Sequence, residues 1–326
     1  MEANKIYCGD AIEILKTFPS ESIDMVITSP PYYGLRDYGV EGQIGLEKTF
    51  EEYLDNLIII FNEVKRVLKP GGTCWVNLGD TYFGGGNNRG NTKEISLKQK
   101  SNKGATGQVN IEWDFTKYQA KSLLQIPSRF AIAMADSGWI LRNEIIWHKP
   151  NCMPSSVNDR FTVDYEKLFF FTKSKKYYFE QQKEPMKTTD TNPPRGSKGV
   201  IGQANLGLRK QDLIGRNDYT GFNDRYSPPK GLMRNKRSVW SINTKPLKEA
   251  HFATFPEELI ETPIKAGCPE NGVVLDVFMG SGTTGMVAKR LNRKYIGIDL
   301  NEDYCKLARK RINKVYCQMK LDLEII

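Results

Sequence analysis

What this chain has little of narrows its reading first. It holds two histidines, His148 and His251, and six cysteines, Cys8, Cys74, Cys152, Cys268, Cys305 and Cys317, none of them in a C-x-x-C pair. A zinc site of ordinary spacing is therefore not expected, and no metal is. No basic-then-apolar leader opens the sequence, and the longest apolar run, near Leu57–Phe61, is far too short to cross a membrane. These absences predict a cytoplasmic protein with reduced thiols. Negative charge is also in deficit: 38 Asp and Glu stand against 47 Lys and Arg, a net charge of +9. That excess suits a polyanionic partner, whose phosphates Lys and Arg neutralise; a solvated basic surface explains it equally well.

What is present alternates. Ile23–Thr28 reads as a buried strand stopped by Pro30-Pro31. Apolar residues at Phe50, Tyr53, Leu54, Leu57, Ile58, Phe61, Val64 and Leu68 predict a helix with one buried face, ended by Lys69-Pro70-Gly71-Gly72. Thr73–Leu78 is a strand, Leu123–Ala135 a helix with Pro127 in its first turn, and Trp139–Trp147 and Lys167–Thr172 two more strands. Gly84–Gly107 is nearly empty of large apolar residues and reads as a mobile loop. From Tyr177 to Lys245 the pattern weakens into Pro, Gly, Asn and basic residues with scattered aromatics such as Tyr219, Phe222, Tyr226 and Trp240. Regular structure returns with a helix opened by Pro256-Glu257-Glu258. Strand Val273–Phe278, helix Thr283–Leu291, strand Lys294–Asp299 and a last helix capped by Asn301 follow. Strands alternating with helices at both ends predict an α/β sheet covered on both faces.

Two loops carry chemistry. Asp276-Val277-Phe278-Met279-Gly280-Ser281-Gly282-Thr283 is a glycine turn between strand and helix, with Asp299 at the end of the next strand. Such a turn lets a ligand approach the backbone, and the acidic residue can accept hydrogen bonds from ribose hydroxyls. It lacks the third glycine of a dinucleotide fingerprint, and a purely structural turn stays open. The second loop is Thr28-Ser29-Pro30-Pro31-Tyr32-Tyr33. Two prolines fix φ and make it rigid, its carbonyls and the Ser29 hydroxyl are acceptors, and Tyr32 offers a stacking surface. Strand termination with ordinary packing is the alternative for this loop.

Together the two loops resemble those of the DNA amino-methyltransferases of restriction–modification systems. The S-P-P-Y motif precedes the cofactor loop, as in the permuted beta class. The resemblance implies a doubly wound, mixed, seven-stranded α/β sheet of the Rossmann-like methyltransferase type. It divides the chain into a catalytic part (1–176), a target-recognition region (177–245) and a cofactor-binding part (246–326). It implies S-adenosyl-L-methionine as cofactor, held by Asp10, Ala11, Thr254, Phe278, Gly280, Gly282, Thr283 and Asp299. It makes Ser29, Pro30, Pro31 and Tyr32 the catalytic loop, and Trp147–Asn151 with Tyr165–Phe171 the lining of a target-base pocket.

The chemistry fits the motif. An exocyclic amine is a poor nucleophile because its lone pair is delocalised into the ring. Acceptors on its N–H groups localise that pair, and an aromatic holds the base once it is flipped out. Ser before Pro-Pro is typical of cytosine N4 methylation within the family, which makes N4 of cytosine in double-stranded DNA the expected target and N6 of adenine the alternative. RNA or a protein amide as substrate, and a catalytically silent DNA-binding module, are further alternatives. A cytosine C5 enzyme is disfavoured, since no cysteine follows a proline. Arg195, Arg209, Arg216, Arg225, Arg234 and Arg237 are candidate DNA contacts. A homodimer and a cognate restriction endonuclease are the partners the resemblance suggests, in a prokaryotic cytoplasm.

Overall fold

The computed structural model describes residues 1–35, 37–84, 115–185, 233–245 and 255–324, with side chains as far as residue 315. The chain separates into two compact units, one formed by Met1–Glu180 with Ser238–Ile326 and the other by Gln181–Arg237.

The larger unit is built on an eight-stranded sheet. Its strands are β1 (Lys5–Cys8), β2 (Ile23–Thr28), β3 (Leu68–Leu78), β4 (Ile140–His148), β5 (Tyr165–Thr172), β8 (Val239–Ser241), β9 (Val273–Asp276) and β10 (Lys294–Asp299). They lie in the order β1-β10-β9-β2-β3-β5-β4-β8. The first five are mutually parallel, β5 runs antiparallel to both its neighbours, and β8 is parallel to β4. Helices cover both faces: α1 (Ala11–Lys16), α2 (Phe50–Val67) and α3 (Ile126–Asp136) on one, α4 (Glu257–Gly267), α5 (Thr283–Arg290) and α6 (Glu302–Glu324) on the other. The period-2 rule of strands assigns the faces. In β5, Phe169 and Phe171 join the core under α2 and α3, while Leu168 and Phe170 join the opposite core with Leu259 and Ile264 of α4.

Local signals explain the boundaries. Helix α2 opens on a capping box in which Thr49 accepts from the Glu52 N–H and Glu52 accepts from the Thr49 N–H. Of its expected apolar stripe, Phe50, Tyr53, Leu54, Leu57, Phe61 and Val64 are buried and Ile58 is partly buried; Ile60 and Val67 complete the buried face, and Leu68 opens β3 instead. Helix α3 starts at Ile126, three residues later than its apolar pattern suggests. The Asp80 carboxylate accepts from the Ile126 N–H at 3.0 Å, and the Leu124 N–H is drawn to the Thr81 carbonyl. Strand β9 ends at Asp276 rather than Phe278, because the Asp276 carboxylate turns back to accept from the Phe278 N–H at 3.1 Å. Conversely β3 reaches back to Leu68, the Lys69–Gly72 stretch being taken up as a register shift opposite Ile23–Met25.

The sheet has one strand more than the seven the resemblance implies. The eighth is β8, from the segment that lacked a readable pattern. Trp240 is buried against the α4–α6 face, and the Trp147 indole donates to the Ile242 carbonyl at 2.8 Å. Residues 238–245 therefore belong to the larger unit, which is interrupted after Glu180 and resumes at Ser238.

The described part of the smaller unit is a pair of antiparallel strands, β6 (Lys183–Pro185) and β7 (Met233–Asn235). Arg234 forms an ion pair with Glu184 at 2.7 Å, with its side chain 11% exposed, so this arginine braces the strand pair rather than standing out as a phosphate contact. Arg195, Arg209, Arg216 and Arg225, the aromatics Tyr219, Phe222 and Tyr226, and the expected loop after Gly84 as far as residue 107 lie outside the described residues.

Candidate active site

In an open parallel sheet, ligands bind where neighbouring strands send their connections in opposite directions. Here that point lies between β9 and β2, which pair through Met25↔Val274 and Val26↔Leu275. From β9 the chain turns toward β10, and from β2 toward β3. The two loops singled out in the sequence leave these two strand ends, some 250 residues apart in the chain but adjacent in space. A cavity of about 560 Å³ opens there, lined by residues of the larger unit alone.

One side chain ties the two loops together. Asp276 is buried at the end of β9, where one carboxylate oxygen accepts from the Thr28 hydroxyl at 2.6 Å and the other from the Thr284 hydroxyl at 2.6 Å. Thr28 directly precedes Ser29, and Thr284 lies in the first turn of α5. Burial pushes this carboxyl up to about 6, opposed by its hydrogen bonds and assisted by the nearby Asp299 charge. The folded value lies above the unfolded one. The stabilisation from this group is thus full below the unfolded carboxylate value and is lost as pH rises through about 6. Asp276→Asn keeps the shape and removes the titration. The melting temperature of this variant is expected to gain on that of the native protein as pH rises from about 4 to 7, by the equivalent of roughly 2–3 kcal/mol. A constant difference across that range would show that Asp276 does not carry the linkage.

The first half of the cavity is walled by Asp10, Ala11, Phe278, Gly280, Thr283 and Asp299, joined by Tyr38 and Tyr304. Asp299 accepts from the Gly280 N–H at 2.7 Å and from the Asn301 N–H at 2.8 Å, and burial pushes its carboxyl up. Gly280 sits at φ +51, a conformation that favours glycine. Asp10 caps α1 by accepting from the Glu13 N–H at 3.0 Å. Gly282 differs from its expected role. It does not line the cavity but backs it, at φ +84, where an added Cβ would stand 2.7 Å from the Cβ of Ala308 on α6. Thr254 lies outside the described residues, while its neighbour Phe255 lines the cavity.

The second half is walled by Ser29, Pro30, Pro31, Tyr32, Trp147 and Glu166, with Asn77 and Lys149. The Pro31 carbonyl is taken by the Tyr53 hydroxyl of α2 at 2.8 Å, which fixes the loop from behind. Tyr32 lies against Gly79, where a Cβ would come within 2.4 Å of the ring. Its hydroxyl donates to Glu166 at 2.7 Å and reaches the Asn77 side chain at 3.3 Å. Burial pushes this phenol well above its usual range, the Glu166 charge and hydrogen bond add to that, and a hydrogen bond from Ser29 opposes it. Glu166 in turn accepts from Lys149 at 2.8 Å.

Some of these groups escaped the sequence reading. Asn77 had a signal: a lone amide in the run Thr73-Cys74-Trp75-Val76-Asn77-Leu78, where a buried polar group needs a reason. Gly79 and Arg311 had none. Arg311 reaches from α6 to donate to the Ser281 carbonyl at 2.7 Å, holding the glycine turn by a contact that only the helix packing creates. Among the described residues, no group of three or more His, Cys, Asp or Glu side chains could hold a metal ion. No described helix is long and apolar enough to cross a membrane.

The family model of the N6/N4 DNA methylases matches residues 23–310, which spans both loops and the strands that present them. The chain belongs to this DNA methylase family. The methylase is 41% identical to the Type II methyltransferase M.XycI of Xanthomonas campestris pv. cyanopsidis over 96% of its own length and 88% of that protein. It is 40% identical to the Type II methyltransferase M.Cfr9I of Citrobacter freundii over 94% and 87%. Its fold is also that of a solved PvuII DNA methyltransferase described as cytosine-N4-specific, with a TM-score of 0.59 at 20% identity, covering 98% of this chain and 93% of that one. It is likewise that of a putative DNA modification methylase from Thermus thermophilus solved with S-adenosyl-L-methionine, with a TM-score of 0.56 at 23% identity, covering 96% and 94%. The expected doubly wound methyltransferase sheet is thus the fold this methylase has.

Proposed function

We propose that this protein is a Type II DNA methyltransferase of the permuted, beta-class order that methylates N4 of a specific cytosine in double-stranded DNA. The observation that carries the reading is the single cavity shared by the Ser29–Tyr32 loop and the Gly280 turn, with Asp276 joining the two strand ends. The relatives named Type II methyltransferases support the reaction class. Ser29, together with the structural neighbour described as cytosine-N4-specific, favours cytosine over adenine.

The cofactor is S-adenosyl-L-methionine, and the first half of the cavity suits it. Carboxylates at Asp10 and Asp299 match hydroxyl and amine donors, and Phe278 offers an apolar face. When bound, the cofactor supplies an electrophilic methyl group. The chain's own residues do the rest. Ser29 and the Pro30 carbonyl accept from the amine N–H groups and localise the nitrogen lone pair. Tyr32, fixed by Glu166 and Gly79, stacks on the flipped base. The positive charge of the chain attracts the DNA backbone, and the Gln181–Arg237 unit, most of it outside the described residues, supplies target recognition. The protein works in a prokaryotic cytoplasm, beside a cognate restriction endonuclease.

The reading is tested by incubating the protein with unmethylated genomic DNA and isotope-labelled S-adenosyl-L-methionine, then digesting the DNA to nucleosides for mass spectrometry. Label is expected in N4-methylcytosine. Label in N6-methyladenine would keep the mechanism and overturn the choice of base. Absence of label from DNA, with cofactor binding intact, would overturn the substrate class.

A further inference from the structure

The cavity wall beside Tyr32 contains an ion pair, one member of which, Lys149, the chemistry above does not use. Lys149 and Glu166 meet at 2.8 Å with both side chains only 17% exposed, and both line the cavity. Withdrawing two charges from water is costly, and a pair of hydrophobic residues would serve stability as well or better. Half of the pair has a visible use, since the second oxygen of Glu166 accepts from the Tyr32 hydroxyl at 2.7 Å and fixes that ring. An uncharged glutamine could accept the same bond, so fixing Tyr32 does not by itself require Lys149.

We infer that Lys149 reads the target base, donating a hydrogen bond to the ring nitrogen next to the amine-bearing carbon. The inference rests on the reading of this cavity as the pocket for an exocyclic amine, but not on whether that amine belongs to cytosine or adenine. Cytosine and adenine share one edge pattern: an amino donor beside an unprotonated ring nitrogen. Guanine, thymine and uracil present an N–H at the corresponding ring position. An ammonium is donor only, with three protons and no acceptor, so it pairs with the first pattern and is left facing another donor by the second. Ser29 tests for the amine, and Lys149 tests for the ring nitrogen beside it.

The local structure holds Lys149 in this role. It directly follows β4, its backbone N–H donates to the Asp164 carbonyl at 2.7 Å, and its Nζ sits 5.3 Å from the centre of the buried Trp147 ring. Two residues on, the Asn151 side chain accepts from the Thr244 N–H at 2.8 Å and donates to the Thr244 carbonyl at 3.0 Å, pinning the segment. Glu166 also answers an electrostatic problem. The base gains positive charge as its amine is methylated, and a lone ammonium beside it would oppose the reaction. Paired with Glu166, Lys149 supplies a donor with no net charge. The pair is thus a specificity device built onto the same carboxylate that positions Tyr32.

Lys149→Met alone would strand the Glu166 charge, so the test uses Lys149→Met combined with Glu166→Gln, which keeps an acceptor for Tyr32. The duplexes carry the methylated site mapped on genomic DNA. The target base is either natural or its deaza analogue with C–H in place of the ring nitrogen (3-deazacytosine or 1-deazaadenine, according to the base found). On natural DNA the double variant is expected to lose about 10- to 100-fold in kcat/KM with S-adenosyl-L-methionine affinity retained. On the deaza duplex the loss relative to the native protein should be at least about tenfold smaller, because the bond is already gone and any loosening of Tyr32 by Glu166→Gln acts on both duplexes alike. Equal losses on both duplexes would overturn the role of Lys149 while leaving amine methylation standing. Absence of methyl transfer to either natural base by the native protein would instead overturn the underlying reading.

Discussion

Replacing Ser29 by alanine is expected to lower the turnover number by about 10²- to 10³-fold while leaving cofactor affinity nearly unchanged. The position explains the split. Ser29 follows Thr28, whose hydroxyl is held by buried Asp276, and precedes two prolines whose φ angles are fixed. Its backbone is therefore placed independently of its own side chain, and the alanine variant keeps the loop. On the proposed reading, what is lost is an oxygen acceptor at the amine, an interaction that strengthens as the nitrogen becomes tetrahedral and acidic. Such an interaction is made mainly in the transition state, so its removal is felt in turnover rather than in binding. On the proposed reading, cofactor affinity belongs to the other half of the cavity, around Asp299 and Gly280, whose mutual hydrogen bond Ser29 does not touch. Single-turnover kinetics and calorimetric titration of S-adenosyl-L-methionine separate the two. Comparable losses in both would remove Ser29 from the chemistry and make it a structural part of the loop.

Gly282→Leu is expected to abolish measurable cofactor binding and to destabilise the fold by several kcal/mol, although Gly282 touches no part of the cavity. Two costs add. At φ +84 any side chain occupies the left-handed region, at roughly 1–3 kcal/mol. Its Cβ would also stand 2.7 Å from the Ala308 Cβ and 2.8 Å from the Ala308 Cα. Ala308 is fully buried in α6, so the helix cannot yield without moving Cys305 and Ile312, and overpacking of that kind costs about 1–3 kcal/mol. The turn shifts instead, and it carries Gly280 and Thr283, which do line the cavity. The milder Gly282→Ala separates the two costs. Adding Ala308→Gly to it should restore the space but not the backbone strain, recovering part of the stability by thermal melts and part of the cofactor affinity. A Gly282→Leu protein that binds cofactor normally would show that the turn is not coupled to α6 in this way.

Much of this site is legible in the chain itself. Pro30-Pro31 and the Gly280–Thr283 turn are backbone statements: proline fixes φ, glycine permits close approach, and both act through covalent geometry that does not depend on distant residues. Strands β2 and β10 and helix α2 are legible for a related reason, since each buries one face or both and its apolar spacing records that burial. Strand β8 is not. Three residues with only Trp240 buried carry no period, and they are a strand only because β4 presents an edge to them. The start of α3 is hidden likewise, because Asp80, distant in sequence, takes the Ile126 N–H.

The role of Gly282 shows where local reasoning stops. Its presence in a glycine turn suggests room for a ligand, whereas the neighbour that needs the room is Ala308. Which atom lies opposite a missing side chain is a property of packing, and no pattern within the turn encodes it.

The sequence by itself pointed to the reaction class through the resemblance that the diproline loop and the glycine turn carry, both being short, contiguous and readable without knowledge of the fold. The tertiary structure decided what those loops work with. It set β2 beside β9 so that Asp276 could bind Thr28 across the sheet. It brought Gly79 under Tyr32 and Glu166 onto the Tyr32 hydroxyl. It placed Lys149 against Glu166 in the wall of the same cavity. Each of these contacts joins different strands or loops, and their adjacency follows from sheet order, which is fixed by the burial of two apolar faces over the whole chain rather than by any one segment.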